Sequence, residues 1–460
     1  MTSIAQNHES EQREILASLK KFFADYQVNA LLRTCRGEKQ KRHSAFSILR
    51  YLLCLIFSDR SMYMQMATGR YQEEFSKNAV YRFLNATRTN WERFVYTLSS
   101  RVIGTIRELT SADRKDVFIF DDTLFQRIGG KKTELCAHVF DHVSMKYKRG
   151  YRLLTMAWSD GNTLIPVYGR LLSSSDGKNI VGTEKHLDGR SLAGKRRKQA
   201  VSKAPDVMLD MLKSAIRAGH HAKYVLFDTW FALPKTILRI HSECKLNTIA
   251  MVKKSSKITY EYEGKQLNIK QIFGRNKKRR GRSKYLLSVE VKLSDKAGSF
   301  IPARIVCVRN RNNRKDWIAF LCTDKSLSEE EILRVYGKRW DIEVFFKACK
   351  SMLHLSSECH SLSYDALTAH VSLVFIRYMF LSLQHRRNTD DRTIGELFFQ
   401  MIDELADITF AHAMGIIVSA LLDTVQEHFG LSEEQIKSFT RKFYERLPLS
   451  YQHMLQFSGV

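Results

Sequence analysis

The sequence predicts an α/β protein whose sheet is flanked by helical regions, and three observations support this class. Two runs of apolar residues, Val117–Phe120 and Tyr224–Phe227, each lead directly into an aspartate. Residues 1–110 repeat apolar side chains at helical spacing and contain no proline. Residues 245–325 alternate short β-like runs with polar turns. We therefore expect an open sheet with carboxylates at its strand ends, a β-rich insertion, and helices before and after them in sequence.

The composition indicates a globular protein that binds a polyanion. The 460 residues are 44% hydrophobic, which is enough for packed cores, and the length suggests about three domains. The chain carries 74 Lys and Arg against 48 Asp and Glu, which gives a formal net charge of +26. Because nucleic acid is the commonest polyanionic partner of so basic a protein, the charge favours nucleic-acid binding.

The same sequence predicts a cytoplasmic protein without a membrane partner. Its eight cysteines are scattered and form no C-x-x-C pair, so they are interpreted as reduced thiols and not as zinc ligands. The N-terminal residues mix charges where a signal peptide needs an apolar segment. Two apolar stretches, Ala366–Leu383 and Ile408–Leu422, are too polar or too short to cross a bilayer. They are interpreted as core helices.

The first 110 residues are predicted to form a helical DNA-binding region. Ser76–Leu84 has a cap-like serine before an amphipathic stretch that directs Lys77, Tyr81 and Arg82 outward. This pattern is typical of a recognition helix, but it also fits an ordinary surface helix.

The predicted core begins with the strand Val117–Phe120, which is followed by a pair of aspartates, Asp121 and Asp122. A β-hairpin comes next. Its arms, Arg152–Trp158 and Thr163–Leu172, are joined by an Asp-Gly-Asn turn.

The second half of this core repeats the arrangement of a buried strand that ends in an acid. Helical spacing returns at Asp206–Ala218, and the strand Tyr224–Phe227 then leads into Asp228. In an open α/β sheet such carboxylates come together along the strand ends.

The β-rich region contains the loop Gly274–Lys284, with seven Lys and Arg in 11 residues. Such a loop is often only a solvated tip, but on an already basic protein we expect it to contact phosphates. The residues predicted to bind DNA here are Lys277, Lys278, Arg279 and Arg280.

A long helix is predicted from Glu329 to Leu353, opened by the capping box Ser328-x-x-Glu331. At about 100° per residue, one side of it carries a polar stripe about 60° wide. A salt-bridged helix face would explain the acid and the cations of this stripe, but it explains the aromatic hydroxyl less well. The stripe consists of Tyr336, Arg339, Glu343 and Lys350. The remainder, to Val460, is predicted to be helical, with a second capping box at Ser432-x-x-Gln435.

The spacing Tyr336-x-x-Arg339-x-x-x-Glu343-x-x-x-x-x-x-Lys350 resembles the Y-R-E-K signature of the insertion-sequence-4 family of DDE transposases. Two further motifs resemble those of the family and occur in the same order, Phe120-Asp121-Asp122-Thr123 and Leu226-Phe227-Asp228-Thr229-Trp230-Phe231. The resemblance runs from about residue 115 to about residue 355.

This resemblance implies an RNase H-like catalytic core in which Asp122, Asp228 and Glu343 bind two Mg²⁺ ions, with Mn²⁺ as a substitute. Carboxylate oxygens are the hard ligands that suit such ions in phosphodiester cleavage. Successive strand residues point to opposite sides of a sheet, so only one of the two adjacent aspartates can reach the metals. We prefer Asp122 over Asp121 because the acid of the family directly precedes a threonine, here Thr123.

The resemblance also implies DNA contacts on the predicted helix. Tyr336, Arg339 and Lys350 are expected to contact phosphates near the cleaved end. Trp317 lies where some members place a tryptophan that stacks on a flipped base, although a core tryptophan on a strand is the alternative. Lys347, on the same helix, completes the predicted set.

The sequence therefore predicts a transposase that binds the terminal inverted repeats of an insertion sequence, cleaves the ends with two metal ions and transfers the 3′-hydroxyls to target DNA. It is expected to act as a homodimer on paired ends, in the bacterial cytoplasm and on the nucleoid when bound. The alternatives are a non-catalytic, domesticated DNA-binding protein and a stand-alone RNase H-like nuclease.

The predicted domains follow one another along the chain. They are a helical N-terminal DNA-binding region (1–110), the first part of the catalytic core (111–244), a β-rich insertion domain (245–325), the remainder of the core with the Glu343 helix (326–390) and a helical C-terminal region (391–460).

Overall fold

A computed structural model gives the fold of the chain. It describes residues 17–387 apart from 37–43, 59–60, 70, 111–113, 128–129, 142–143, 280–282, 295–297, 311–312 and 314–315, together with residues 424–425 and 428–446. The chain divides into two compact units, one formed by Met1–Val28, Leu49–Glu73 and Asp390–Val460 and the other by Asn29–Ile48 and Glu74–Thr389.

Helices and strands are numbered here in chain order. The helices are α1 (17–25), α2 (Val28–Arg36), α3 (Ala45–Leu55), α4 (Met62–Ala67), α5 (Lys77–Leu84), α6 (Trp91–Glu108), α7 (Leu192–Ala200), α8 (Ala204–Arg217), α9 (Pro234–Arg239), α10 (Ile269–Arg275), α11 (Glu329–Gly337), α12 (Trp340–Ser351), α13 (Tyr364–Arg387) and α14 (Glu433–Glu445). The strands are β1 (Val117–Gln126), β2 (Ala137–Asp141), β3 (Lys146–Ser159), β4 (Leu164–Leu172), β5 (Tyr224–Phe227), β6 (Asn247–Met251), β7 (Thr259–Tyr262), β8 (Lys265–Asn268), β9 (Tyr285–Ser294), β10 (Phe300–Arg309) and β11 (Trp317–Cys322).

The first unit is mainly helical over its described residues. Within it, the hydroxyl of Tyr51 donates a 2.8 Å hydrogen bond to Gln65, and the rings of Tyr51 and Tyr71 pack edge to face. The capping box predicted at Ser432 and Gln435 opens α14, with backbone to side-chain hydrogen bonds of 2.9 and 3.4 Å. The predicted core helix at 408–422 lies outside the described residues.

The second unit is built on a mixed sheet of eleven strands in the described ranges, which confirms the α/β class. Its order is β2-β3-β1-β5-β6-β11-β10-β9-β7-β8, with β4 paired to β3. The strands of the predicted insertion, 245–325, continue this same sheet, because β6 pairs with β5 in parallel and β11 pairs with β6. The functional boundaries of the five predicted regions stay predictions.

The predicted hairpin is confirmed and is longer than expected. Strands β3 and β4 pair antiparallel, and β3 begins at Lys146. In the turn, the carboxylate of Asp160 accepts hydrogen bonds of 2.8 Å from the backbone amides of Asn162 and Thr163. Gly161 has a φ of +94°, a backbone conformation that glycine adopts without steric cost.

Strand β1 does not end at Phe120 as predicted, because β3 pairs with it along its whole length to Gln126. Strand β5 pairs with β1 only over Val117–Ile119. Asp121 and Asp122 therefore lie inside β1, just beyond the last residue that β5 covers.

Helices α12 and α13 cover the face of the sheet to which Asp121 belongs. Asp121 pairs with Thr155, and Thr155 pairs with Gly169, so all three project from one face. A Cβ on Gly169 would approach the Phe375 ring of α13 to 2.7 Å, so this position requires glycine for α13 to pack closely. Phe345 of α12 in turn packs edge to face on Phe375, with ring centroids 5.3 Å apart.

Helices α6 and α8 cover the opposite face. The rings of Tyr96 on α6 and Tyr168 on β4 lie 5.2 Å apart. The Tyr96 hydroxyl donates a 3.0 Å hydrogen bond to the carbonyl of Met211 on α8, which ties the two helices together. This is the face from which Asp122 projects, since neighbouring residues of a strand alternate sides.

The single helix predicted from Glu329 to Leu353 is wrong, because the structure has two helices, α11 and α12, separated at Lys338 and Arg339. The amides of Lys338 and Arg339 bond to carbonyls only three residues back, which tightens the turn. The Lys338 ammonium is also held by two backbone carbonyls, at 2.6 and 2.9 Å. The predicted capping box between Ser328 and Glu331 is confirmed at the start of α11.

Helix α13 is long and apolar enough to cross a membrane, by length and composition alone. Its most apolar stretch is completely buried inside the protein. The one strongly polar side chain at its centre, Arg377, is paired with Glu358 through two hydrogen bonds. These contacts support the interpretation of α13 as a core helix.

Candidate active site

The candidate site is built around Asp121, at the point where β1 extends past β5. Its Oδ1 accepts a 2.8 Å hydrogen bond from the backbone amide of Asp122, and its Oδ2 accepts one of 2.8 Å from Arg339. The side chain is 17% exposed. The Asp121 side chain is therefore mostly buried, but it reaches solvent where β1 extends past the end of β5.

A guanidinium joins Asp121 to the acid of α12. Arg339 donates from Nη1 to Asp121 and from Nη2 to Glu343, the latter at 2.6 Å. We call this pair of hydrogen bonds the Arg339 bridge. Glu343 lies on the first turn of α12, and its side chain is 41% exposed. The turn that separates α11 from α12 thus places the predicted Arg–Glu pair against β1.

Asp228 lies close to the same group. It directly follows β5. The last residue pair between β1 and β5 is Ile119 with Leu226, and Asp121 and Asp228 each lie two residues beyond that pair. Burial, with a smaller contribution from the negative charge of Asp228, raises the pKa of Asp121 to about 7 against the opposing effect of Arg339. Two carboxylates are therefore near enough to repel each other at the end of β5.

Asp122, the acid preferred from the sequence, does not belong to this group. Its carboxylate points to the opposite face and pairs with Arg152 at 3.2 Å. The strand alternation that allows only one of the two acids to face α12 selects Asp121. The register of β1 thus groups Asp121, and not Asp122, with Arg339 and Glu343. Which of the two aspartates binds a metal stays a prediction.

The donor set suits a divalent cation. Asp121 and Asp228 offer hard oxygen ligands and mutual repulsion that a cation would relieve. Within the described ranges, no three Asp, Glu, His or Cys side chains are grouped tightly enough to hold a metal as they stand. The Arg339 guanidinium instead supplies the positive charge between Asp121 and Glu343.

Residues 32–298 match the family model described as "DDE superfamily endonuclease". This match covers more than half of the chain and includes both Asp121 and Asp228. The chain belongs to the DDE superfamily endonucleases. Enzymes of this superfamily depend on divalent metal ions. Glu343 lies beyond the matched residues.

One solved structure similar to this chain is the Drosophila P element transposase strand transfer complex, with 13% sequence identity and a TM-score of 0.21. The similarity covers 57% of this chain and 54% of the transposase chain, so the chain spans about half of that protein. No curated protein matches the chain.

The Tyr336 side chain is buried. It is 7% exposed, its ring lies 4.8 Å from that of Phe320, and its hydroxyl has no hydrogen-bond partner in the described part of the chain. Burial raises its pKa above the ordinary value, and the charges of Asp228 and Asp121 act in the same direction. The phosphate contact of Tyr336 stays a prediction.

Two lysines of the predicted DNA-binding set, Lys347 and Lys350, are exposed on α12. Lys350 lies about two turns beyond Glu343. It is close enough to the hairpin of β2 and β3 for the charges of Asp141 and Lys148 to act on it. The helix therefore presents its lysines to solvent on the C-terminal side of the Arg339 bridge.

Trp317 is packed between other side chains. Its ring stacks on Phe273 at 4.2 Å with an interplanar angle of 14°, and the Lys254 ammonium lies 4.3 Å from its centroid. Lys254 is also paired with Asp316. The structure thus agrees with the alternative of a packed tryptophan on a strand, because its ring already has partners.

An exposed tryptophan that the motif analysis did not assign a role lies next to the carboxylates. Trp230 is 50% exposed, two residues after Asp228, and its backbone amide donates a 2.9 Å hydrogen bond to the Asp228 carboxylate. Arg152 and Lys253 flank its ring at 5.9 and 5.4 Å. The sequence signal was present in the motif Asp228-Thr229-Trp230, but exposure is a tertiary property.

The basic loop is only partly free. Arg279 is paired with Glu329 by two hydrogen bonds of 2.6 and 2.7 Å. Lys278 lies over the ring of Phe273 at 4.8 Å. Lys277 is exposed and forms no ion pair with a described residue. Arg280 lies outside the described residues.

Proposed function

We propose that the protein is a DDE transposase of the insertion-sequence-4 family. It binds the terminal inverted repeats of its element, cleaves the DNA at the ends and transfers the 3′-hydroxyls to target DNA. The observation that carries this proposal is the Arg339 bridge, which links Asp121 of β1 to Glu343 of α12 beside Asp228. The RNase H-like character of the core, the Y-R-E-K signature and the site assignments are parts of the same proposal.

In this proposal Asp121, Asp228 and Glu343 hold two Mg²⁺ ions, and Mn²⁺ substitutes for them. When bound, such ions lower the pKa of the attacking hydroxyl and stabilise the leaving oxygen of the phosphodiester. Asp121 and Asp228 supply the negative charge that attracts the cations, and Arg339 holds Glu343 close to β1 until they bind.

We propose that DNA runs across the exposed basic surface beside Asp228. Trp230 offers a flat aromatic surface beside the carboxylates, and Arg152 and Lys253 place positive charge next to it. A neighbouring cleft of about 560 Å³ adds Lys254 and Lys270 to Lys253. Exposed lysines on α12 extend this positive surface beyond Glu343.

Arg339 is proposed to act as a positioning residue as well as a phosphate ligand. Its planar fork is suited to two oxygen partners at once, and it bonds to two carboxylates in this structure. Arg339 would contribute to the reaction by fixing the orientations of the Asp121 and Glu343 carboxylates before DNA binds.

Two alternatives stay open to experiment. A stand-alone nuclease would cut DNA and form no strand-transfer product, and a domesticated DNA-binding protein would do neither. Asp121 and Glu343 bonded to Arg339, with Asp228 close to Asp121, favour an active enzyme over the domesticated form. We also propose a homodimer on paired ends, and a location in the bacterial cytoplasm on the nucleoid.

The proposal is tested with purified full-length protein and a linear DNA that carries the sequence flanking its own coding region. With Mg²⁺ and a target plasmid, we expect cleavage at the element ends and joined donor–target molecules. Asp228→Asn should abolish both products and leave DNA binding within about threefold of the unsubstituted protein. Cleavage without joining would assign a nuclease, and the absence of both products with Mg²⁺ and with Mn²⁺ would contradict the proposal.

A further inference from the structure

A basic cleft lies at β4, which is separated from β1 and Asp121 by β3. It has a volume of about 520 Å³, within the range of ligand pockets, and is lined by residues of α6, α7, α8, β4 and α13. Arg170 of β4 lines it. Arg170 pairs with Leu154, which pairs with Asp122, so all three project from the Asp122 face. Arg170 therefore points away from the face on which the Arg339 bridge lies.

Three cations of this cleft have no carboxylate partner among the residues that the structure describes. Arg93 of α6, Lys195 of α7 and Arg217 of α8 line it, and all three are exposed. None of the three takes part in an ion pair with any residue that the structure describes. The three side chains come from three helices and line the same cleft, so their positive charges repel one another. A bound anion would reduce that repulsion.

The acids near the cleft are already in use. Glu92 accepts a 2.6 Å hydrogen bond from Arg170, and Asp365 is held by Arg196 and by Arg197. The Nη1 of Arg170 is buried without a hydrogen-bond acceptor among the described residues. The excess positive charge of the cleft is therefore not neutralised by the surrounding protein.

We infer that this cleft is a phosphate-binding site separate from the candidate active site. Arginine and lysine side chains that converge on a pocket of this size match the several oxygens of phosphate groups. The phosphates belong either to the DNA backbone or to a free phosphorylated ligand, which share the same chemistry. This inference does not depend on the proposed reaction, because Asp121, Asp228 and Glu343 do not line the cleft.

The test uses tripolyphosphate as the probe and isothermal titration calorimetry on the full-length protein. The cleft variant carries Arg93→Gln, Lys195→Gln and Arg217→Gln. The control variant carries Lys223→Gln, Lys235→Gln and Lys265→Gln, which removes the same charge from exposed positions outside the cleft. We expect the cleft variant to bind tripolyphosphate at least about tenfold more weakly and the control to stay within about twofold.

A second arm identifies the source of the phosphate. Binding of a random-sequence duplex is measured by fluorescence anisotropy at several salt concentrations. If the cleft holds backbone phosphates, the cleft variant should reduce the slope of log K against log salt by up to about 2.7, at roughly 0.9 per lost contact. Unchanged duplex binding together with weakened tripolyphosphate binding would assign a free phosphorylated ligand, and both results support the site.

Equal losses in the cleft and control variants, or no loss in either arm, would overturn the inference. Thermal unfolding of each variant shows whether it is folded. If the triple variant is not, Lys195→Gln alone serves as the test, because its exposed side chain makes no hydrogen bond or ion pair with a described residue. Cleavage activity is not needed for either readout, so failure here is distinct from failure of the proposed transposase.

Discussion

Arg339 donates a 2.8 Å hydrogen bond to the carboxylate of Asp121, across 218 positions of sequence. The same guanidinium bonds to Glu343 four residues further along the chain. This pairing connects β1 to the start of α12, which comes after the β-rich insertion in sequence. It explains why an acid, a cation and a strand aspartate far apart in sequence form one electrostatic unit.

The first prediction separates the two adjacent aspartates. Asp121→Asn should lower the rate of DNA cleavage by on the order of 1000-fold, because it removes a proposed metal ligand. Asp122→Asn, which changes the pair with Arg152 on the other face, should retain far more activity. Gel assays of end cleavage with matched protein concentrations measure both. The opposite ranking would restore Asp122 as the ligand.

The second prediction concerns stability and pH. The pKa of Asp121 is raised to about 7 in the folded protein and is ordinary in the unfolded chain, so the folded state loses stability as pH rises from about 4 to about 7. In EDTA, Asp121→Asn should therefore increase the free energy of unfolding at pH 8 by as much as about 4 kcal/mol.

That gain should disappear below about pH 4, where the carboxyl is protonated in both states. Urea unfolding at several pH values measures the difference between the variant and the unsubstituted protein. A gain that does not change with pH would show that ionisation of the buried Asp121 carboxyl is not its cause.

A third prediction concerns the Arg339 bridge. Arg339→Ala should reduce cleavage by about 10- to 100-fold while DNA binding changes by less than about threefold, because the residue fixes two carboxylates. Arg339→Lys should recover little, since an ammonium cannot reproduce the planar fork. Filter binding and cleavage are compared on the same DNA. A parallel loss of binding would make Arg339 mainly a phosphate contact.

The fourth prediction compares two tryptophans. Trp230→Ala should weaken binding of single-stranded DNA by about 1–3 kcal/mol, with little effect on thermal stability because the ring is half exposed. Trp230→Phe should retain part of the affinity. Trp317→Ala should have the reverse effect, lowering stability through loss of its stack on Phe273. If Trp230→Ala and Trp317→Ala bind single-stranded DNA with equal affinity, Trp230 is excluded from the DNA path.

The fifth prediction concerns the basic loop, where the structure distinguishes a free cation from a paired one. Lys277→Ala should weaken binding of element-end and random DNA equally and reduce the slope of log K against log salt by about 0.9. Arg279→Ala should change the slope much less, because Arg279 is occupied by Glu329. An unchanged slope for Lys277→Ala would identify the loop as a solvated tip.

The sequence by itself determined the elements that depend on local patterns. Strand β5 matches the apolar run Tyr224–Phe227, and the arms of the hairpin lie within β3 and β4 except for Thr163, which directly precedes β4. The capping boxes at Ser328 and Ser432 open α11 and α14. Apolar runs, turn residues and side-chain caps act over a few residues, so their consequences can be predicted without the fold.

Tertiary structure decided which side chains meet. The register of β1 against β3 and β5 turned Asp121, and not Asp122, toward α12. The tight turn before α12 broke the straight helix from which the polar stripe was calculated, and Tyr336 became buried. The Trp317 ring packs against Phe273, whereas the Trp230 ring is half exposed. These outcomes depend on pairing and packing between segments far apart in the chain, which no local periodicity encodes.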